Sequence, residues 1–310
     1  MQQIQKKKLE RRRANAAQNL GILSAAAVST AVIMYPIDIL RAIRMSQAGE
    51  GSSLRGGGIG AFLNTHGVRG LFSQGVVAEI GRASVMRVSK FFFFPRTCHS
   101  LYSKRVAECS TTEKAIAGAL CTVPEILLIS PFEVAKVGLQ LDHTNKFNNN
   151  TNMFLRHQVS SRGLKGMYVG WAGMQYRQLS WSAVFFASLE FYREKTVSLC
   201  ERNHVPSRVG VLLGGFCAGA SGVLVNCPGD VTRTVIQKRG FSSSVNKTYG
   251  IGFGSIVEHA RVSREILLKR GIRGLYAGFG IKTFHLGCSG ALMTMFVDLF
   301  SDFTNLSCGV

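Results

Sequence analysis

Three segments of the chain place a proline, an acid and a base at one spacing, Pro-x-acid-x-x-base. They are Pro36, Asp38 and Arg41, then Pro131, Glu133 and Lys136, and then Pro228, Asp230 and Arg233. The prolines are 95 and 97 residues apart, and each copy ends an apolar run. Opposite charges in such positions can form ion pairs, whose net energy is small when both partners are desolvated. A repeat at a nearly constant interval indicates repeated structural units.

A second motif recurs with the same period. Residues 66–75, 162–170 and 270–278 each contain Gly-x-basic-Gly-apolar-aromatic and end in glycine. Together the two motifs resemble the mitochondrial carrier family of transporters, and the resemblance runs from about residue 18 to about residue 304. It implies an all-α membrane protein of three tandem repeats. Two transmembrane helices in each repeat would form a six-helix bundle with pseudo-threefold symmetry, with a short surface helix in every repeat.

The composition agrees with apolar spans joined by basic loops. The chain has 310 residues, a net charge of +20, 46% hydrophobic residues and a mean hydropathy of +0.15. Positive charge suits either nucleic-acid binding or attraction to anionic lipids and solutes. The bases are spread along the chain and form no nucleic-acid motif, which favours the lipid and solute interpretation. The eight cysteines form no C-x-x-C pair, so neither a zinc site nor a disulfide framework is expected.

Six segments approach the length that a bilayer helix needs. They lie at residues 20–35, 75–102, 115–129, 171–192, 210–225 and 279–303. Their charged residues are expected to face a shared interior, because a charge that faces lipid is costly. The predicted domains are a basic N-terminal tail at 1–17 and carrier repeats at 18–104, 105–203 and 204–310.

The resemblance assigns the proline signatures to a gate on the matrix side, where each acid pairs with the base of the next repeat. The proline kinks would bring the three helices together at that end. The implied pairs are Asp38 with Lys136, Glu133 with Arg233, and Asp230 with Arg41, with Gln140 and Gln237 as braces. The competing interpretation is that each of these pairs only neutralises a buried charge and has no gating role.

A second gate, on the cytoplasmic side, is implied at the ends of the even-numbered helices. Repeat two supplies Glu190 and Arg193, while repeat three has Asp298 but Ser301 in place of a base. Repeat one has no acid there. Fewer ion pairs predict an easier opening on that side.

Substrate contacts in the family lie about halfway along the even-numbered helices. The positions that the resemblance assigns to substrate binding are Arg82, Met86, Lys90, Arg177, Gln178, Lys282 and His285. The first three are spaced at i, i+4 and i+8, so they share one helix face. Arginine followed by glutamine at the second position resembles carriers of di- and tricarboxylates and oxo acids.

Three basic side chains on converging helices, Arg82, Arg177 and His285, would suit an anion with two or more carboxylates, because arginine binds a carboxylate through a bidentate fork. Other interpretations stay open. Arg82 could pair with Glu79 one turn away, Lys90 and Lys282 could line the path without binding, and His285 could be a neutral interior side chain.

The resemblance therefore implies a monomeric transporter that exchanges a citrate-like or oxoglutarate-like anion across the inner mitochondrial membrane by alternating access. Expected partners are the small anionic metabolite and membrane lipid, with cardiolipin as a candidate, and no specific nucleic acid. No metal or cofactor is implied, and the sequence holds no P-loop, dinucleotide turn or Ser/His/Asp grouping that would indicate an enzyme. The alternatives are a carrier of a nucleotide, phosphate, amino acid or cofactor, and a basic nucleic-acid-associated mitochondrial protein.

Overall fold

The computed structural model describes residues 2–49, 58–142, 144–242 and 250–303. Within these ranges the chain is helical and has no β-strand, as predicted. The α-helices of the described ranges are α1 (Gln2–Ser46), α2 (Ile59–Ser73), α3 (Val76–Tyr102), α4 (Thr111–Leu120), α5 (Thr122–Gln140), α6 (Thr151–Arg162), α7 (Trp171–Arg202), α8 (Ser207–Ser242), α9 (Phe253–Leu275) and α10 (Phe279–Phe303). The predicted basic tail is the first part of α1.

The three signature prolines lie inside helices: Pro36 in α1, Pro131 in α5 and Pro228 in α8. Each of these helices contacts the other two. A proline inside a helix removes one backbone donor and bends the helix. The acid two residues after each proline is buried, so the contact between the three helices is also where the signature carboxylates lie.

The repeated glycine motif has one backbone conformation in all three copies. The earlier glycine of each copy has φ between 62° and 64°, and the final glycine has φ between 77° and 79°, as measured at Gly67, Gly163 and Gly271 and at Gly75, Gly170 and Gly278. Only glycine adopts these values without steric cost. The final glycine of each copy immediately precedes a long helix, α3, α7 or α10. The motif thus sets the point where the chain enters that helix.

Two helical stretches of the described chain, 18–46 in α1 and 209–241 in α8, are long and apolar enough to cross a membrane. The pair α4 and α5, bent by 43° at their junction, would be a third span. In the described ranges α3, α7 and α10 do not meet the same criteria of hydropathy and charge. Four charged residues lie in α3 between residues 79 and 90, where a lipid-facing helix would carry apolar side chains.

The predicted span at 115–129 is divided between α4 and α5. Ser110 caps α4 by accepting a hydrogen bond from the Glu113 backbone, and the Glu113 side chain accepts one from the Ser110 backbone. This reciprocal capping box starts a helix locally. The helix breaks at Cys121, and Pro124 lies in the first turn of α5, a position where a missing donor costs little. One predicted span is therefore two helices.

The predicted surface helices are present as α2, α6 and α9. Arg239, at the end of α8, donates two hydrogen bonds to Glu265 of α9 at 2.7 and 2.8 Å. Lys269 adds a third at 2.7 Å. The bonds from Arg239 and Lys269 lower the pKa of Glu265 to about 2. The contribution of this contact to stability is complete above the ordinary pKa of glutamate and is lost as pH falls through the lowered value.

Gly138 of α5 provides the space in which α6 packs. The fully buried ring of Phe154 lies directly against Gly138, and a methyl group there would overlap the ring. Gly138→Ala is therefore expected to lower the free energy of unfolding by about 1–3 kcal/mol, as overpacking does elsewhere. The midpoint of thermal unfolding of the purified protein measures this. Gly60→Ala in α2, with no atom within 4 Å of the new methyl, is the control and should leave the midpoint unchanged or slightly raised. Equal midpoints for the two variants would contradict the packing argument.

Candidate functional site

Charged side chains from six helices form one connected cluster, called here the ion network. Its four carboxylates are Asp38, Glu79, Glu133 and Asp230, and its six basic side chains are Arg41, Arg82, Lys136, Arg177, Arg233 and Lys282. They come from α1, α3, α5, α7, α8 and α10. Among these side chains positive charge exceeds negative charge by two.

Lys136 joins two carboxylates at one side of the ion network. Its Nζ lies 2.5 Å from Asp38 Oδ2 and 2.7 Å from Glu79 Oε2. The Gln140 side-chain amide donates to Asp38 at 3.3 Å, which is the brace that the sequence predicted. The Lys136 ammonium also lies 5.9 Å from the ring centroid of Tyr35. The predicted pair Asp38–Lys136 is therefore formed and is buried.

Glu133 is the central carboxylate, because three guanidinium groups contact it. Arg233 pairs with Glu133 as predicted. Arg177 Nη1 lies 3.1 Å from Glu133 Oε1, and Arg82 Nε lies 3.3 Å from Glu133 Oε2. The carboxylate side chain is only 2% exposed, so its charge depends on these three partners for compensation.

The third predicted gate pair, Asp230 with Arg41, is wrong for this structure. Arg41 lies on the same face of α1 as Asp38, three residues away, and its Nη2 is 2.5 Å from Asp38 Oδ1. Asp230 is instead contacted by Arg233 at 2.9 Å and by Lys282 of α10 at 3.1 Å. Arg41 therefore pairs within α1, and Lys282 of α10 contacts Asp230 where Arg41 was predicted.

Gln237, the second predicted brace, does not contact a gate carboxylate in the described structure. Its side-chain amide donates to the backbone carbonyl of Val169 at 3.1 Å, in the segment that precedes α7. Gln237 therefore ties α8 to the glycine motif of the second repeat, whereas Gln140 contacts an ion pair.

Three of the predicted substrate-binding cations, Arg82, Arg177 and Lys282, lie within the same ion network as the predicted gate acids. Arg82 Nη2 pairs with Glu79 at 2.6 Å, as the alternative interpretation of the sequence had it, and Arg82 also contacts Glu133. Arg177 lies between Glu133 and Asp230, at 3.1 and 3.7 Å. In this conformation, the cations predicted to bind a substrate anion are paired with carboxylates of the protein itself.

His285 lies at the edge of the ion network, with its Nε2 4.0 Å from Asp38 Oδ1. Met86 contacts Arg82 through its sulfur at 3.8 Å, which agrees with their shared helix face. Lys90 lies outside the ion network and pairs with Glu125 at 3.8 Å. Gln178 is half-buried, and its side chain has no hydrogen-bond partner among the described residues.

The family described as Mitochondrial carrier protein matches residues 107–198 and 206–306, more than half of the chain. The chain belongs to this family. Membership makes it a transport protein of the inner mitochondrial membrane and points away from an enzyme.

Curated relatives of the carrier match over most of their length. A probable mitochondrial 2-oxodicarboxylate carrier of Dictyostelium discoideum is 24% identical and covers 86% of this chain and 84% of the relative. The mitochondrial citrate transporter D of Aspergillus niger is 24% identical, with coverages of 91% and 93%. A probable mitochondrial phosphate carrier protein of Schizosaccharomyces pombe is 25% identical, with coverages of 78% and 76%.

The predicted cytoplasmic gate of the carrier is not assembled in the part of the chain that the structure describes. Glu190 and Arg193 are both exposed and form no ion pair with a described residue. The side chain of Asp298 lies outside the described residues. The acids and bases of the predicted matrix gate are thus connected in one network, while Glu190 and Arg193 are exposed and form no ion pair with a described residue.

Sequence reasoning assigned no role in the site to three residues that the structure places in it or beside it. Glu79 was treated only as a neighbour of Arg82, yet it also binds Lys136. Asn226 accepts a hydrogen bond from Lys282 inside an otherwise apolar run of α8. Glu125 is fully buried in α5. A polar residue within an apolar span needs a partner, so its position in the sequence was the available signal.

Proposed function

We propose that the carrier is a bundle of six membrane-spanning helices with pseudo-threefold symmetry, built of repeats at 18–104, 105–203 and 204–310 after the basic tail at 1–17. The spans would be α1, α3, the bent pair α4–α5, α7, α8 and α10. Support comes from the ion network, which draws side chains from α1, α3, α5, α7, α8 and α10, and from the three identical glycine turns. Charged residues of α3 and α7 face this shared interior, where the energetic penalty for charge in a membrane is offset by partners.

The proposed substrate is a small anion with two or more carboxylates, of the 2-oxodicarboxylate or citrate class. The observation that carries this proposal is the excess of two positive charges in the buried ion network. A dianion would neutralise that excess, whereas a cation would increase it. Arginine forks at Arg82 and Arg177 fit carboxylates in geometry as well as in charge. The names of the D. discoideum and A. niger relatives agree with this class.

Binding and gating would be coupled through Glu133. Substrate carboxylates would bind Arg82 and Arg177 and displace Glu133 and Glu79 from them. Lys282, His285, Gln178, Met86 and Lys90 would complete the contact surface. A displaced Glu133 would keep only Arg233, so the matrix gate would weaken as the substrate binds. A ligand can shift a conformational equilibrium only through such differential contacts.

The proposed state of the structure has the matrix side closed and the cytoplasmic side open. Buried ion pairs at Glu133 and Lys136 support closure at one end. Glu190 and Arg193, which are exposed and form no ion pair with a described residue, support opening at the other. We expect the carrier to be a monomer that binds anionic lipid such as cardiolipin through its exposed bases, without specific affinity for nucleic acid.

The test is thermal unfolding of the detergent-purified carrier with citrate, 2-oxoglutarate, malate, phosphate, ATP and amino acids. A ligand that binds only the folded state raises the unfolding midpoint. We expect a rise of about 5 °C for a di- or tricarboxylate at about 100 times its Kd. The same ligand should give no rise with Arg82→Ala, because the forked contact is lost.

Phosphate and ATP distinguish the alternatives. A rise of the unfolding midpoint with phosphate or ATP, and none with carboxylates, would contradict the carboxylate proposal. It would favour phosphate, the substrate in the name of the S. pombe relative, or a nucleotide. Arg202→Ala, at an exposed arginine of α7 away from the ion network, is the matched control and should keep the wild-type response.

A further inference from the structure

Glu125 is fully buried in a helix, and neither of its carboxylate oxygens has a hydrogen-bond partner among the described residues. It lies in the first turn of α5, beside the bend between α4 and α5. Its closest cation is Lys90 of α3, whose Nζ is 3.8 Å away, at the outer limit of an ion pair, and whose side chain is 33% exposed. An ionised carboxylate in this position is poorly compensated.

The groups that face Glu125 from the surrounding helices are almost all cations. Lys90, Arg87 and Arg82 act on it from α3, and Arg177 acts from α7. The thiol of Cys121, at the bend, also interacts electrostatically with Glu125. No described residue donates a hydrogen bond to the carboxylate, so its charge depends on cations at a distance.

Three of these four cations are also proposed substrate ligands. Lys90, Arg82 and Arg177 would turn towards the carboxylates of a bound dianion. Glu125 would then lose its one ion-pair partner and acquire an anionic neighbour at the same time. Both changes favour the neutral acid over the carboxylate.

We propose that Glu125 is a proton-binding site that is coupled to substrate binding. It is ionised and paired with Lys90 in the empty carrier, and it takes up one proton when the dianion binds. The proton comes from water of the open cavity and adds to one Oε atom, and no other bond changes. Coupling of this kind is reciprocal, so protonation of Glu125 also increases the affinity for the anion. This inference rests on the proposed carboxylate substrate.

Isothermal titration calorimetry of the full-length carrier in detergent at pH 7 tests the inference. 2-Oxoglutarate and citrate are titrated in two buffers with different ionisation enthalpies, and the difference in observed heat gives the number of protons taken up. We expect about one proton per bound anion for the wild type. Glu125→Gln mimics the neutral acid, so we expect binding to persist with no proton uptake.

Two further variants make the result specific. Glu194→Gln, at an exposed glutamate of α7, should keep the wild-type proton uptake. Lys90→Met removes the cation that keeps Glu125 ionised, so binding should weaken and proton uptake should again be lost. Lys90→Met also replaces Glu125→Gln as the test if that variant does not fold.

The outcomes separate this inference from the proposed function. Binding heat that is equal in both buffers would overturn the proton site and leave the carboxylate proposal intact. Proton uptake that persists in Glu125→Gln would also overturn it and would point to another titratable group, such as His285 beside Asp38. Absence of binding by both carboxylates would overturn the proposed function and this inference with it.

Discussion

Arg177→Ala is expected to lower the rate of carboxylate exchange about 100-fold, which corresponds to the loss of one buried charged contact. Arg177 is the guanidinium that lies between Glu133 and Asp230, at 3.1 and 3.7 Å. Its side chain is only 12% exposed, so solvent compensates little of the charge that is lost with the guanidinium. Uptake of labelled citrate or 2-oxoglutarate by proteoliposomes that contain the unlabelled anion measures the rate.

Two variants test whether the effect belongs to the guanidinium. Arg177→Lys keeps the charge but loses the bidentate fork, so its rate should lie between those of the wild type and Arg177→Ala. Arg202→Ala removes an exposed arginine from the same helix and should leave the rate unchanged. Wild-type exchange by Arg177→Ala would remove Arg177 from the substrate site.

Glu133→Gln is expected to cause the largest loss of stability, about 3–5 kcal/mol, as when one partner of a buried ion pair is removed. Arg82, Arg177 and Arg233 all contact this carboxylate. The substitution leaves the three guanidinium groups without their shared counter-charge and raises the positive excess of the ion network from two to three. The midpoint of thermal unfolding of the purified carrier measures the loss.

The control for Glu133→Gln is Glu201→Gln, at an exposed glutamate near the end of α7. This surface change should be nearly neutral, because exposed ion pairs contribute little. If the bound dianion does occupy the same arginines, citrate or 2-oxoglutarate should restore part of the lost stability of Glu133→Gln. A midpoint equal to that of the wild type would show that the three arginines do not depend on Glu133.

Local features of the carrier were predictable from the sequence because their causes are local. Pro36, Pro131 and Pro228 act on the backbone of their own helix, wherever that helix packs. The glycines of the second motif adopt φ values that other residues avoid, so the turns at Gly75 and its equivalents follow from residue type alone. The all-helical class and the three surface helices were predicted correctly for the same reason.

The bend between α4 and α5 was not predicted, although its signals were present in the sequence. Ser110 and Glu113 form a capping box, and Pro124 begins a second helix after Cys121. The composition of the apolar run that spans these residues would be the same whether it formed one helix or two, so composition alone could not predict the break. Hydropathy measures the cost of leaving water and carries no information about where a helix bends.

The sequence by itself determined the family, the helical class, the glycine turns and which residue types carry charge into the interior, since each of these depends on local spacing and composition. The tertiary structure alone decided which opposite charges pair. Asp230 contacts Lys282 and Arg233 in place of Arg41, and Glu133 collects three arginines from three helices. An ion pair depends on distances of a few ångströms between residues far apart in the chain, and those distances exist only after the helices have packed.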